Sequence, residues 1–141
     1  MYLRGQNEVK TLIVSAALIE NSEEVLLSKR KEGPYKGFWE FPGGKLEEAE
    51  SPEGCLQREL KEELGIQIQV EKIEEVVWMP YEHFNLLLLL YKCKLEKGTP
   101  VPLGCEEVRW FKKGEIFNLP MPPADCELRE RLKHKWGLSV A

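Results

Sequence analysis

The chain has 141 residues, a formal net charge of −4 and a hydrophobic share of 43%. That size and apolar content suit one core, so residues 1–141 are expected to form a single domain. The acidic balance excludes the broad basic face needed to track long nucleic acid. The opening MYLRGQNEVK lacks a signal-peptide apolar run, and the most apolar segment, 86–91, is far too short to span a bilayer. A cytoplasmic protein without a membrane partner is expected, as a monomer or homodimer. Cys55, Cys93, Cys105 and Cys126 form no C-x-x-C pair and accompany only two histidines, His83 and His134. This matches neither a zinc site nor a disulfide scaffold, so they are read as packing thiols.

Residues 11–19 (TLIVSAALI) and 24–28 are apolar and β-branched around the polar turn Glu20-Asn21-Ser22-Glu23, which predicts a hairpin. Gly33-Pro34 and Lys36-Gly37 bracket a loop; Phe38-Trp39-Glu40-Phe41 then predicts a short strand ended by Pro42-Gly43-Gly44. Ser51 supplies an N-cap, Pro52 the first helical position and Gly65 a stop, so residues 52–64 are predicted helical. Strands are predicted at 66–78, 84–95 and 107–111, and a terminal helix at 128–136. The run Leu86-Leu87-Leu88-Leu89-Leu90 has no polar alternation and predicts a central strand covered on both faces. The sum is an α+β fold with an α/β/α layering.

Within the predicted helix, Glu59, Glu62 and Glu63 stand at i, i+3 and i+4, on one side and within reach of one another. Leu56, Leu60 and Leu64 make the neighbouring apolar stripe, which holds the acids at the edge of the core. Three gathered carboxylates repel. A solvated face with Arg58 and Lys61 offsetting the repulsion is one account. The other is a divalent cation: oxygen-only ligands favour Mg²⁺, which keeps several waters and completes its octahedron with substrate phosphates.

Counting from Gly44, Glu50 lies six residues on and Arg58 eight further, followed by Glu59-Leu60-Lys61-Glu62-Glu63-Leu64-Gly65-Ile66. This resembles the Nudix box, G-x5-E-x7-R-E-U-x-E-E-x-G-U, at every specified position. The approach Trp39-Glu40-Phe41-Pro42-Gly43-Gly44-Lys45 resembles that of MutT-type members, and the similarity runs over about residues 11–131. The resemblance implies a Nudix fold, a curved mixed sheet with the box as a loop and helix. It also implies that Glu59, Glu62 and Glu63 bind Mg²⁺ or Mn²⁺, with the Gly43 carbonyl and Glu106 (or Glu107) as further ligands. Glu59 is the first choice for general base and Glu62 the second. Arg58 and Glu50 would brace the ligands without touching substrate. Arg30 and Lys45 are either phosphate contacts or plain surface charges.

The segment Leu119-Pro120-Met121-Pro122-Pro123-Ala124-Asp125 resembles the base-holding segment of these relatives, with Asp125 where the MutT enzyme has an asparagine. An ionised Asp125 would suit the N1–H and N2–H₂ of guanine or 8-oxoguanine, whereas cytosine would prefer a protonated acid. Phe84 takes the place of an arginine and would stack on a base. Asp125 as a helix cap, and Phe84, Trp39, Trp78 and Tyr81 as core or pocket wall, stay open. The expected activity is Mg²⁺-dependent cleavage of a nucleoside triphosphate to monophosphate and pyrophosphate, on oxidised or non-standard nucleotides such as 8-oxo-dGTP, in nucleotide-pool sanitation. A CTP/dCTP-type or other nucleoside diphosphate-X substrate is the alternative. A binding module that lost catalysis is the non-enzymatic reading, which retention of all three acids disfavours.

Overall fold

The computed structural model describes residues 9–138. In chain order it contains β1 (Lys10–Asn21), β2 (Glu24–Lys29), β3 (Trp39–Glu40), β4 (Gly43–Lys45), α1 (Pro52–Leu64), β5 (Gln67–Pro80), β6 (Phe84–Lys97), β7 (Glu107–Lys112), a 3₁₀ helix (Lys113–Asn118) and α2 (Pro123–Lys135). The strands run β3-β2-β1-β6-β5, with β4 added to β1 and β7 to β2. β1 and β6 are parallel from Lys10↔Phe84 to Ile19↔Cys93, and the other pairings are antiparallel. The sheet is therefore mixed, and the fold is α+β. Among the described residues no helix is long and apolar enough to cross a membrane.

Strand side chains alternate between two faces, and both faces here are apolar. Ala16, Leu18, Val25 and Leu27 enter one core with Leu128 and Leu132 of α2. Ala17, Ile19 and Leu26 enter the other with Leu56, Leu60 and Leu64 of α1. The layering is thus helix, sheet, helix. β5 lies at the sheet edge, and α2 blunts it: Arg131 Nη1 donates to the Val76 carbonyl at 2.5 Å and Lys135 Nζ to the Glu74 carbonyl at 2.6 Å.

α1 starts and stops where its caps dictate. The Ser51 hydroxyl accepts the Gly54 N–H at 3.0 Å, and Gly65 ends the helix with φ 67°, a left-handed conformation that L side chains resist.

Three features depart from expectation. β3 ends before Pro42 as expected, but Gly43 and Gly44 open a further strand, β4, paired with Ala16 and Ser15. A Cβ on Gly43 would collide with the Ser15 carbonyl oxygen, so the glycine permits the close approach that a breaker reading misses. α2 begins at Pro123 rather than near residue 128, because a proline costs no hydrogen bond at the first helical position. The leucine run of β6 is central but not covered on both faces. Leu88 and Leu90 are buried, whereas Leu87 is half-buried and pairs with Trp78, which is 53% exposed. The 13 residues of α1 span about 20 Å, less than half of the roughly 46 Å of the 14-residue β6. The helix cannot cover the whole strand.

Leu60 sits fully buried between α1 and the sheet. Leu60→Ala should lower unfolding free energy by about 2–5 kcal/mol, read from the urea midpoint at unchanged m-value. A loss under about 1 kcal/mol would show that this core tolerates the cavity.

Candidate active site

One edge of β1 is shared: β4 pairs with its middle, Val14–Ala16, and β2 with its end, Glu20 and Asn21. A cavity of about 1020 Å³ lies over the first half of β1 and the start of β6, with Ser28, Glu40 and Gly43 of β2, β3 and β4 on its wall. Two groups of side chains face it.

The first group comes from β4, the connection that follows it, and α1. The Glu59 carboxylate lies against Gly44 so closely that a Cβ on residue 44 would occupy its place. Arg58 organises the surrounding acids. Its Nε and Nη2 donate to the two carboxylate oxygens of Glu50 at 2.9 and 2.7 Å, and its Nη1 to Glu59 at 2.8 Å and Glu62 at 3.2 Å. Glu50 also accepts the Glu47 N–H at 3.0 Å. The Arg58 bonds, then the Glu47 bond, hold the Glu50 carboxyl down to about 2. Glu63 has no such partner. Burial, and then the adjacent Glu59 and Glu40 carboxylates, push its carboxyl well above the ordinary carboxylate range.

The three helical acids do not behave alike. At about 100° per residue, Glu63 falls roughly 60° from the centre of the leucine stripe and Glu62 roughly 160°. Glu59 and Glu63 accordingly line the cavity, while the Glu62 side chain is 62% exposed, lies outside that wall and bonds Arg58. Among the described residues no three His, Cys, Asp or Glu side chains converge tightly enough to hold an ion by themselves. The two inward carboxylates nonetheless fit a hard cation that takes the rest of its octahedron from water and phosphate.

The second group comes from α2, the start of β6 and the connections between β5 and β6 and between β2 and β3. Asp125 is not a helix cap, since Pro122 occupies that position. Its carboxyl is buried in the first turn of α2 and accepts the Phe41 N–H at 3.1 Å. Burial, then the Glu40 charge, lift it to about 8, against the pull of the Phe41 bond and Arg30. Phe84 stacks on Tyr81 at 4.8 Å between centroids, and both line the cavity with Tyr35. Burial and the nearby Tyr35 raise the Tyr81 hydroxyl. Trp39, by contrast, is core, and Trp78 stands on the exposed sheet face.

Of the residues singled out in the sequence, Arg30, Gly43, Lys45, Glu59, Glu63, Phe84 and Asp125 share this cavity. Glu106 does not. Cys105 and Gly104 wall the cavity, and the next residue turns its side chain to solvent as its N–H pairs with the Lys29 carbonyl at 2.9 Å. Glu107 is engaged with Arg109. Glu40 and Tyr35 are among the further residues of the cavity wall that no sequence motif singles out. Glu40 is held by Arg30, through Nη2 at 2.9 Å and Nε at 3.3 Å, and stands between the two groups. The Ser28↔Glu40 register that brings it there was the missing signal. Tyr35 comes from the glycine-flanked loop, where its ring lies 5.9 Å from the Arg30 guanidinium.

The NUDIX domain model matches residues 9–132. The chain belongs to the Nudix family. It is similar to the CTP pyrophosphohydrolase of Escherichia coli, 34% identical over 125 residues that cover 86% of this chain and 91% of that protein. It is also similar to the 8-oxo-dGTP diphosphatase of Haemophilus influenzae, at 31% over 125 residues, 87% and 92% of the two chains. Among solved structures, the E. coli ORF135 protein superposes with a TM-score of 0.80 at 29% identity, covering 94% of this chain and 96% of that one. The MutT Nudix hydrolase of Burkholderia pseudomallei gives 0.79 at 26%, covering 87% and 98%. The chain is a Nudix hydrolase, with the fold of that family.

The raised Asp125 has a thermodynamic consequence. The folded protein binds this proton more tightly than the unfolded chain does. Its contribution to stability is therefore full below the unfolded value of 3.8 and is lost as pH rises towards about 8. Asp125→Asn keeps an acceptor for Phe41 but cannot ionise. Its stability relative to the wild type should rise with pH across that window, by up to about 1.4 kcal/mol per unit, in urea titrations at several pH values. A difference that stays flat with pH would refute the buried neutral acid.

Proposed function

We propose that this Nudix hydrolase cleaves a nucleoside triphosphate to the monophosphate and pyrophosphate, with Mg²⁺, or Mn²⁺ in its place, as cofactor. The observation that carries this reading is the pairing of two unlike ends in one cavity. Glu59 and Glu63 crowd two carboxyl groups, oxygen ligands for a cation, into one end; the buried acid Asp125 and stacked aromatics form the other. A nucleotide, with its polyphosphate and its base, has the matching two ends.

Glu59, Glu63 and the Gly43 carbonyl would hold the ion, which when bound draws charge from the phosphate oxygens and acidifies a water. The residues of the chain do the rest. Arg58, clamped on Glu50, fixes Glu59 through Oε1, and Glu59 is the first choice to take a proton from the attacking water. Lys45 and Arg30, both on the cavity wall, receive the phosphates. Glu59→Gln should lower kcat by roughly two to four orders of magnitude in a pyrophosphate-release assay, and the outward-facing Glu62→Gln by less. The reverse ranking would move the proton acceptor to Glu62.

At the base end, a neutral Asp125 offers one donor and one acceptor. Cytosine presents the matching pair, N3 and N4–H₂, and supports a cytidine-type triphosphate as the first choice. The similarity to a CTP pyrophosphohydrolase points the same way. Oxidised guanine is the second reading: O6 with N1–H also forms an acceptor–donor pair, and another relative is an 8-oxo-dGTP diphosphatase. Ionisation of Asp125 turns the group into two acceptors, which match N1–H and N2–H₂ of guanine. The ratio of kcat/KM for dCTP over dGTP should therefore fall as pH rises through about 8. Asp125→Asn should abolish that pH dependence. A ratio that is constant in the wild type removes Asp125 from base selection.

A further inference from the structure

The segment joining β6 to β7, residues 98–106, runs along the end of α1. The Val101 N–H donates to the Leu64 carbonyl at 3.0 Å, and the N–H groups of Leu103 and Gly104 both donate to the Glu63 carbonyl at 2.9 Å. The last carbonyls of a helix have no helical partner, so this strap satisfies groups that would otherwise face water. Its far end is fastened too, by the Glu106 N–H on the Lys29 carbonyl at 2.9 Å, next to Arg30. The strap thus ties the acid helix to the strand on the opposite side of the cavity.

Gly104 is where the strap comes closest. A Cβ there would stand 3.1 Å from both Cα and Cγ of Glu63, and the residue lines the cavity beside that side chain. Gly104 is not among the glycines with positive φ. The glycine answers a need for space, and alanine fits its backbone. Because the helix holds the Glu63 Cα, an added methyl would displace the Cγ and the carboxylate beyond it.

We infer that Gly104 is a positioning residue: its N–H and its bare Cα set where the Glu63 carboxylate stands, and so the affinity of the site for a divalent ion. The inference rests on the metal reading proposed above. Ligands must be held within about half an ångström of their working geometry, and groups that orient them commonly govern affinity by an order of magnitude or more.

Mn²⁺ provides the probe, followed through the paramagnetic resonance signal of the free ion, without turnover. Gly104→Ala should weaken Mn²⁺ binding on the order of 10-fold while melting within about 4 °C of the wild type. Leu103→Ala removes a side chain that is 61% exposed but keeps the N–H, and should bind as the wild type does. In a Glu63→Gln background, Gly104→Ala should add no further loss. Wild-type binding by Gly104→Ala, an equal loss in Leu103→Ala, or an additive loss in the Glu63→Gln background would each overturn the assignment. If the wild-type protein leaves the Mn²⁺ signal untouched, the metal reading itself fails and this inference with it.

Discussion

The site depends on one guanidinium. Arg58 reaches four carboxylates, those of Glu47, Glu50, Glu59 and Glu62. Only a planar fork of five donors can hold Glu50 with two parallel bonds and still keep a nitrogen for Glu59; the point charge of a lysine could not. The consequence is a sorting of like charges. Glu50 and Glu62 are compensated on the outer side of the helix, Glu59 is shared, and Glu63 is left facing the cavity. Repulsion that would fray an ordinary acidic helix is thereby concentrated at the point where a cation would relieve it.

That arrangement also needs backbone to come close to backbone. β4 can press onto β1 because Gly43 has no Cβ, and Glu59 can press onto β4 because Gly44 has none. Two adjacent glycines therefore stack sheet, loop and helix into a short distance. Cys55 completes the contact, its thiol donating to the Lys45 carbonyl at 3.3 Å. Burial, then the neighbouring Glu50, push that thiol up to about 11, so it stays protonated and serves as a packing donor.

Features written in local chemistry were legible in the sequence. The start and stop of α1 follow from Ser51, Pro52 and Gly65, and the hairpin of β1 and β2 follows from its apolar runs. What could not be read depends on tertiary pairing. Helical spacing groups Glu59, Glu62 and Glu63, but which of them faces inward is decided by where the leucine stripe meets the sheet. Gly43-Gly44 looks like a breaker until β1 lies against it. Glu40 carries no distinguishing spacing, and only the β2–β3 register brings it to Arg30. Asp125 was recognised, yet its protonation, on which the choice of base turns, is set by burial that no single residue announces.

The two ends of the cavity are not independent. Glu40 raises both Glu63 and Asp125, and Arg30, bonded to Glu40, acts on both in the opposite direction. A carboxylate–guanidinium pair in the middle of a cavity is nearly neutral from afar but polar at close range. Any anion that drew Arg30 away would leave the Glu40 charge uncompensated. Its field would then favour the protonated forms of the acids on either side. The base-reading acid stays neutral first because burial strips it of water and then because Glu40 stands beside it, and the same two causes act on Glu63 at the end where a cation would bind.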